Sequence, residues 1–336
     1  MKIAIRVDGS KELGMGNIFR SLTLADELKS NGQDVSFIVK SYVDAYETIQ
    51  KKDFPVFLVN ANSINGSLTA QVCSIIDSYG FQMVINDIKN TDTCYMKELK
   101  SRNLIVVNFD DLGTGRNLAD FLFDAFLISN SQNNKPGHNF GPKFMILRNE
   151  FNSKNNKRII PRNVNVITVI MGAANTGDLL DKVLKAISLL PDRIQFNIIL
   201  SKAVTNAEIY QLNYSKPNFT FHYHPHNISE LFSKSDLVIT AGGISMCEAC
   251  SQGTPTLVIP QMPHEETNAK HFETLGAVET FSYNPEISLD NIHDKVLELI
   301  NNHSKRVSLS SNGMKLIDGN GLNRILEVLT PHLAVN

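Results

Sequence analysis

The chain has 336 residues, 42% hydrophobic and 20% charged, with a formal net charge of -2. That length supports two domains of ordinary size, and the near-neutral balance excludes a general electrostatic pull toward nucleic acid or anionic membrane. The opening MKIAIRVD alternates like a strand rather than a signal peptide, no apolar run is long enough to span a bilayer, and Cys73, Cys94, Cys247 and Cys250 are too few and too uneven for a disulfide framework, so a cytoplasmic setting is expected.

Strands and helices alternate along the first half. Lys2–Val7 reads as a strand, Asn17–Ser30 as a helix, Asp34–Val39 as a strand, Tyr42–Lys51 as a helix and Val56–Val59 as a strand. Leu68–Tyr79 follows as a helix, Met83–Asn86 as extended, Thr91–Ser101 as a helix and Leu104–Phe109 as extended. This rhythm predicts a parallel sheet covered by helices on both faces. The runs 130–138 (NSQNNKPGH) and 152–158 (NSKNNKR) are polar and turn-forming. The second is the expected linker, between domains 1–155 and 156–336.

The rhythm then restarts. Strands are expected at Asn165–Met171, Phe196–Leu200, Phe219–Tyr223, Leu237–Thr240 and Thr256–Ile259. Helices are expected at Asp178–Leu190, Thr205–Leu212, Ser229–Lys234, Ser245–Gln252, Glu266–Leu275, Leu289–Asn301 and Gly321–Leu329, the last free to pack back on the first domain. In doubly wound sheets ligands bind outside the carboxyl ends of the strands.

Two glycine turns stand at such ends. RVDGSKELGMGNIFR places Gly9, Gly14 and Gly16 between the first strand and its helix. Glycines admit a close ligand, and a helix start offers unpaired N–H groups, although a tight turn alone would use the same residues. A dinucleotide fingerprint needs a third glycine where Phe19 stands, so no dinucleotide cofactor is expected. In the second domain DLVITAGGISMCEACSQGTPTLVIP carries Gly242 and Gly243 between a strand and a helix that begins near Ser245. Such a turn can hold a diphosphate. Glu248, one turn further on, can accept hydrogen bonds from two ribose hydroxyls. PQMPHEETNAKHF then sets His264, Glu265, Glu266 and Asn268 at the carboxyl end of the next strand.

These segments resemble a known group. Arg6, Asp8, Ser10, Gly14, Gly16 and Arg20 match the R-x-D-x-S-x-x-I-G-x-G-H-x-x-R opening of the pseudaminic acid pathway nucleotide-sugar hydrolases (PseG) and the related spore-coat polysaccharide proteins (SpsG). NDI at 86–88, NFDDLG at 108–113 and GPKFMILRNEF at 141–151 are similar to the same group. AGGISMCEA, GTPTLVIP and HEETNA are similar to the donor-sugar motif of MurG-type GT-B transferases. The resemblance implies an α/β GT-B fold, two Rossmann-like doubly wound domains facing a cleft. It implies that Glu248 binds ribose, that Glu265 and Asn268 lie near the donor sugar or phosphates, and that His226 and Asn227 start a loop at the nucleotide base. The chain departs from the pattern at three places. Asn17 replaces the histidine that would activate water, Gly172-Ala173-Ala174-Asn175 replaces G-G-T-D, and Glu265 replaces a glutamine. An amide cannot take the proton in turnover.

Other polar groups weigh less. Asp110 and Asp111 end a strand, where they could hold Mg²⁺, act as a base, or simply cap the next turn. Asp8 and Asp87 also end strands. His222, His224 and His226 alternate without a carboxylate cluster, and C-x-x-C at Cys247 and Cys250 has no second pair, so no metal site is expected. Arg148 could meet a phosphate or pair with Glu150. The expected partner is a UDP- or CMP-linked sugar, with a glycan or protein as acceptor and no cofactor. The Gly242–Ser245 turn would stabilise the leaving diphosphate, and Asp8, Asp87 or Asp111 would deprotonate an acceptor near Asn17. The expected activity is a glycosyltransferase of surface-glycan or nonulosonic acid assembly. The alternatives are a nucleotide-sugar hydrolase and a non-catalytic binder.

Overall fold

The computed structural model describes residues 1–10, 13–60, 66–127, 135–151, 158–172, 179–200, 207–225 and 227–333, without the side chains of 207–209. Two compact units divide the chain: Met1–Arg148 with Asn320–Asn336, and Asn149–Gly319. The boundary expected at 155/156 and most of the expected linker lie outside the described residues.

The first unit runs β1 (Lys2–Val7), α1 (Gly16–Ser30), β2 (Asp34–Lys40), α2 (Val43–Gln50), β3 (Val56–Val59), α3 (Leu68–Tyr79), β4 (Met83–Asp87), α4 (Thr93–Lys100), β5 (Ile105–Phe109), β6 (Phe121–Asp124) and β7 (His138–Phe140). Its strands form a parallel sheet in the order β3-β2-β1-β4-β5-β6-β7. Ile3, Ala4 and Ile5 are all buried, as strands covered on both faces require. Ser67 and Asp92 cap α3 and α4 through the N–H groups of Ala70 and Tyr95.

The second unit runs β8 (Val166–Ile170), α5 (Leu179–Ile187), β9 (Gln195–Leu200), α6 (Ala207–Asn213), β10 (Phe219–Tyr223), α7 (Ile228–Lys234), β11 (Leu237–Thr240), α8 (Ile244–Ser251), β12 (Thr256–Val258), α9 (Pro263–Thr274), β13 (Glu279–Thr280), α10 (Leu289–Asn301) and α11 (His303–Leu316). Its parallel sheet has the order β10-β9-β8-β11-β12-β13. Two arginines, Arg158 half-buried and Arg306 buried, fasten the entering chain. Arg158 donates to the carbonyls of Phe232, Ser235 and Gln252 and to the Thr254 hydroxyl. Arg306, on α11, donates to the carbonyls of Pro161, Arg162, Leu299 and Ile300.

The last helix, α12 (Gly321–Leu333), belongs with the first unit. Its Ile325, Leu326, Leu329 and Leu333 share a core with Ile3, Ile5 and Phe37. Gly321 is obligatory at the contact, because a Cβ there would overlap the Met145 carbonyl. Among the described residues no helix is long and apolar enough to cross a membrane.

Candidate functional site

Each sheet reverses its winding at one point, between β1 and β4 in the first unit and between β8 and β11 in the second. Loops leaving neighbouring strands there diverge to opposite faces and open a crevice at the carboxyl edge. Both glycine turns fall at these two points.

In the second unit Gly172 follows β8 with φ +73°, a conformation suited to glycine. Gly242 follows β11 so close to α9 that a Cβ would overlap the Glu265 carbonyl. Gly243 occupies the start of α8, which has no side-chain cap and no acidic residue in its first turn. The N–H groups of Gly243, Ile244 and Ser245 precede the first helical bond, from Met246 to the Gly243 carbonyl at 3.1 Å. They form an uncapped, anion-attracting end. Ser245 is half-buried in that first turn. Glu248 lies one turn on with 1% of its surface exposed.

The neighbouring loops are fastened together. The Gln261 amide donates to the Met171 carbonyl, binding the end of β8 to the segment after β12. The Gln261 N–H donates to the Glu265 carboxylate at 2.7 Å, so Glu265 reaches back from the first turn of α9 to the segment before it. Asn268 donates to the Gly242 carbonyl at 3.2 Å. Glu265 and Asn268, expected near the donor, thus hold the glycine turn in place, and His264 stands beside them in the first turn of α9. Gln261 is a further participant that the sequence did not single out. Asn227, expected to start the loop at the nucleotide base, is the N-cap of α7. Its side-chain oxygen caps α7, accepting from the Glu230 N–H at 3.1 Å and the Ser229 hydroxyl at 2.8 Å. His226 and residues 173–175 lie outside the described residues.

At the first unit's edge Gly14 has φ +87° and donates its N–H to the Ser10 carbonyl at 2.9 Å. Gly16 opens α1, again with no side-chain cap. The N–H groups of Gly16, Asn17 and Ile18 precede the first helical bond, from Phe19 to Met15 at 3.1 Å. Asn17 is half-buried, and among the described residues its amide has no hydrogen-bond partner. It can therefore bind a hydroxyl or phosphate.

The acidic groups on this edge form a row set by the strand order. Asp8, 13% exposed, accepts two hydrogen bonds from Arg6 at 2.6 and 2.8 Å and one from the Lys40 N–H at 3.0 Å. Burial pushes its acidity down, but Arg6 and Lys40 outweigh burial and hold its carboxyl below the ordinary value. That makes it a weak base. Asp87 is buried against Arg20 and accepts from the Ser21 hydroxyl at 2.8 Å. Arg20, 4% exposed, also pairs with Asp110, so its guanidinium is consumed by protein carboxylates instead of a substrate. Asp111, 0% exposed, accepts from the Thr91 N–H and hydroxyl, the Asn108 amide and the Gly113 N–H at 2.5–2.9 Å. Asp111 thus accepts four hydrogen bonds and Asp87 three, all from within the protein. The sequence missed Asp124, which ends the short β6. Burial, then the charge of Asp110, push its carboxyl up to about 6 against Arg116 and the N–H groups of Leu127 and Phe126.

His222 lies on β10, and the C-x-x-C pair lies on α8. His222 bonds Asn197 at 2.9 Å within the sheet. Cys247 and Cys250 are buried, and burial pushes the Cys250 thiol up to about 12.

Two parallel Rossmann-like units, each with an uncapped helix start at its switch point, define a protein of the GT-B class. Residues 166–320 match the Glycosyltransferase family 28 C-terminal domain. The chain is 22% identical over 343 residues to SpsG, a spore coat polysaccharide biosynthesis protein of Bacillus subtilis (strain 168), covering 98% of each. It is 31% identical over 278 residues to an uncharacterised protein of Methanocaldococcus jannaschii, covering 78% of this chain but 56% of that one, so it spans little more than half the length of that relative. MurG of Acinetobacter baumannii has the same fold, with a TM-score of 0.68 at 14% identity over 98% of this chain and 100% of that one. The chain is thus similar to SpsG along its full length, carries a segment that matches the family 28 C-terminal domain, and shares the fold of MurG.

Proposed function

We propose that this chain transfers a sugar from a nucleotide donor to a hydroxyl acceptor during assembly of a surface glycan, a setting that includes nonulosonic acid glycans. The observation that carries the reading is the second unit's switch point. There Gly242 is pressed against α9, and the uncapped start of α8 offers three N–H groups within the segment that matches the family 28 domain. The turn that carries those dipoles is held in advance by Asn268 at the Gly242 carbonyl, beside loops that Gln261 and Glu265 fasten together. They would stabilise the negative charge that grows on a departing diphosphate without reorganising as the bond breaks. Glu248 would accept from the ribose hydroxyls once the groups around it give way. On the first unit, Asn17 and the start of α1 would orient the acceptor. Asn17 cannot serve as the base, and Asp8 is the most open of the three carboxylates first considered for that role. The test is incubation with a panel of nucleotide sugars, with and without glycan acceptors, read by mass spectrometry. Sugar on an acceptor supports the proposal. Free sugar released without an acceptor would make the protein a hydrolase, and binding without turnover would make it a non-catalytic partner.

A further inference from the structure

The geometry points to Arg20, Asp87 and Asp110 as a positioning clasp that fixes the first turn of α1, with Asn17, over the β1–β4 switch point. This rests on reading that edge as the acceptor side. Helix α1 lacks the usual means of fixing its start. Met15 precedes it without a side-chain cap, and no acidic residue stands in its first turn. An end left open in this way can face a ligand, but something else must hold it.

Arg20, one turn below Asn17, supplies the hold. Its Nε donates to Asp87 at 3.1 Å, one terminal nitrogen completes a fork on the same carboxylate, and the other reaches Asp110. The two aspartates come from the adjacent strands β4 and β5, so one guanidinium ties the helix to both sides of the edge. Ser21 adds a bond to Asp87 at 2.8 Å, and the Phe109 ring lies 5.7 Å from the Arg20 guanidinium carbon. Burial would lower the basicity of Arg20, but the two carboxylates outweigh it and the guanidinium stays charged. Asp110 meets Arg20 from a left-handed backbone, φ +44°, which a side chain other than glycine adopts at a cost. Its other oxygen accepts the Ala125 N–H at 2.8 Å. A planar fork can serve two carboxylates at once, whereas a lysine ammonium cannot match that geometry.

The test uses two variants of the full chain. Arg20→Lys keeps the charge and loses the fork. Asp110→Asn removes the charge but keeps a side chain that tolerates the left-handed backbone. Amide hydrogen exchange is followed residue by residue in the protein without substrate. The expected result in both variants is exchange at Phe19–Leu22 faster by roughly tenfold or more, with β1, β4 and β5 unchanged. Calorimetry with UDP should give a Kd within about twofold of the unmodified protein, because the donor site belongs to the other unit. In the transfer assay kcat should fall more than the acceptor KM rises, since a misdirected turn binds but does not align. Uniform exchange across the unit, no change in exchange, or failure of both variants to fold would each overturn the clasp. Absence of turnover in the unmodified protein would overturn the transferase reading and leave the exchange result standing.

Discussion

Replacing Asp124 by Asn isolates one charge on the first sheet's carboxyl edge. The buried Asp124 carboxyl is pushed from 3.8 up to about 6, first by burial and then by Asp110. A carboxyl raised in the folded state binds its proton more tightly there than in the unfolded chain. Its stabilising contribution is complete below 3.8 and is lost as pH rises through about 6. The interval from 3.8 to about 6 corresponds to roughly 3 kcal/mol, at about 1.4 kcal/mol for each tenfold in proton affinity. Asn keeps an oxygen for the N–H groups of Leu127 and Phe126, which lie at 3.1 and 3.3 Å, and gives up the Arg116 pair at 3.0 Å. Asp124→Asn should therefore gain stability relative to the unmodified protein on going from about pH 4 to about pH 7.5, by up to roughly 3 kcal/mol. Urea titrations of both proteins at the two pH values measure it. A stability difference that is the same at both, within about 0.5 kcal/mol, would refute the reasoning.

Four further outcomes are expected. Glu248→Ala should weaken UDP binding by about 1.5–3 kcal/mol, the scale of hydrogen bonds to a charged group, and an unchanged calorimetric affinity in a folded variant removes Glu248 from the site. Gly242→Ala should push α9 off the turn, since its Cβ would overlap the Glu265 carbonyl. A loss of about 1–3 kcal/mol in thermal denaturation is the expected reading. Asp111→Ala strands three buried donors and one part-buried donor and should destabilise the first unit by about 2–4 kcal/mol, so a denaturation midpoint equal to that of the unmodified protein contradicts the structural role. Asn17→His should leave nucleotide-sugar hydrolysis nearly unchanged, because a transferase does not depend on a water-activating base there. A rise toward about 10²-fold would move the protein to the hydrolases.

The parallel sheets and the glycine turns at their strand ends were legible because parallel strands are written as continuous apolar runs and their turns as glycines, whereas the switch points needed the strand order. Helix α11 was not, since HSKRVSLSSNGMKL has no clear apolar stripe. It packs through Gly313, whose Cβ would stand 3.2 Å from the Cys250 Cα. Strands β6, β7 and β13, of four, three and two residues, were not legible either; β6 and β7 stand outside the βα rhythm that marked the equally short β3, β11 and β12, and β13 is shorter than any of these. The surroundings of the carboxylates were not legible for a different reason. Asp8, Asp87 and Asp111 each end or follow a strand, as free bases would, but what occupies a carboxylate is not written beside it. Arg20 reaches Asp87 across 67 positions and Asp110 across 90. The same limit applies to Glu265 and Asn268, whose placement in the motif was readable and whose task of pinning the glycine turn was not.

The arginine fastenings of the second unit make its folding unit larger than its recognisable one. The matched segment begins at residue 166, yet Arg306 spends half of its hydrogen bonds on the carbonyls of Pro161 and Arg162, and His303 bonds the Ile160 carbonyl at 3.0 Å. A fragment cut at 166 would keep a buried cation while discarding two of its four acceptors, and would empty the place where Arg158 gathers the ends of α7 and α8. The charge would then sit in the interior with the pull of Asp236 but too few dipoles, a destabilising arrangement. The portable domain therefore starts no later than Arg158, ahead of the first residue that sequence similarity would choose.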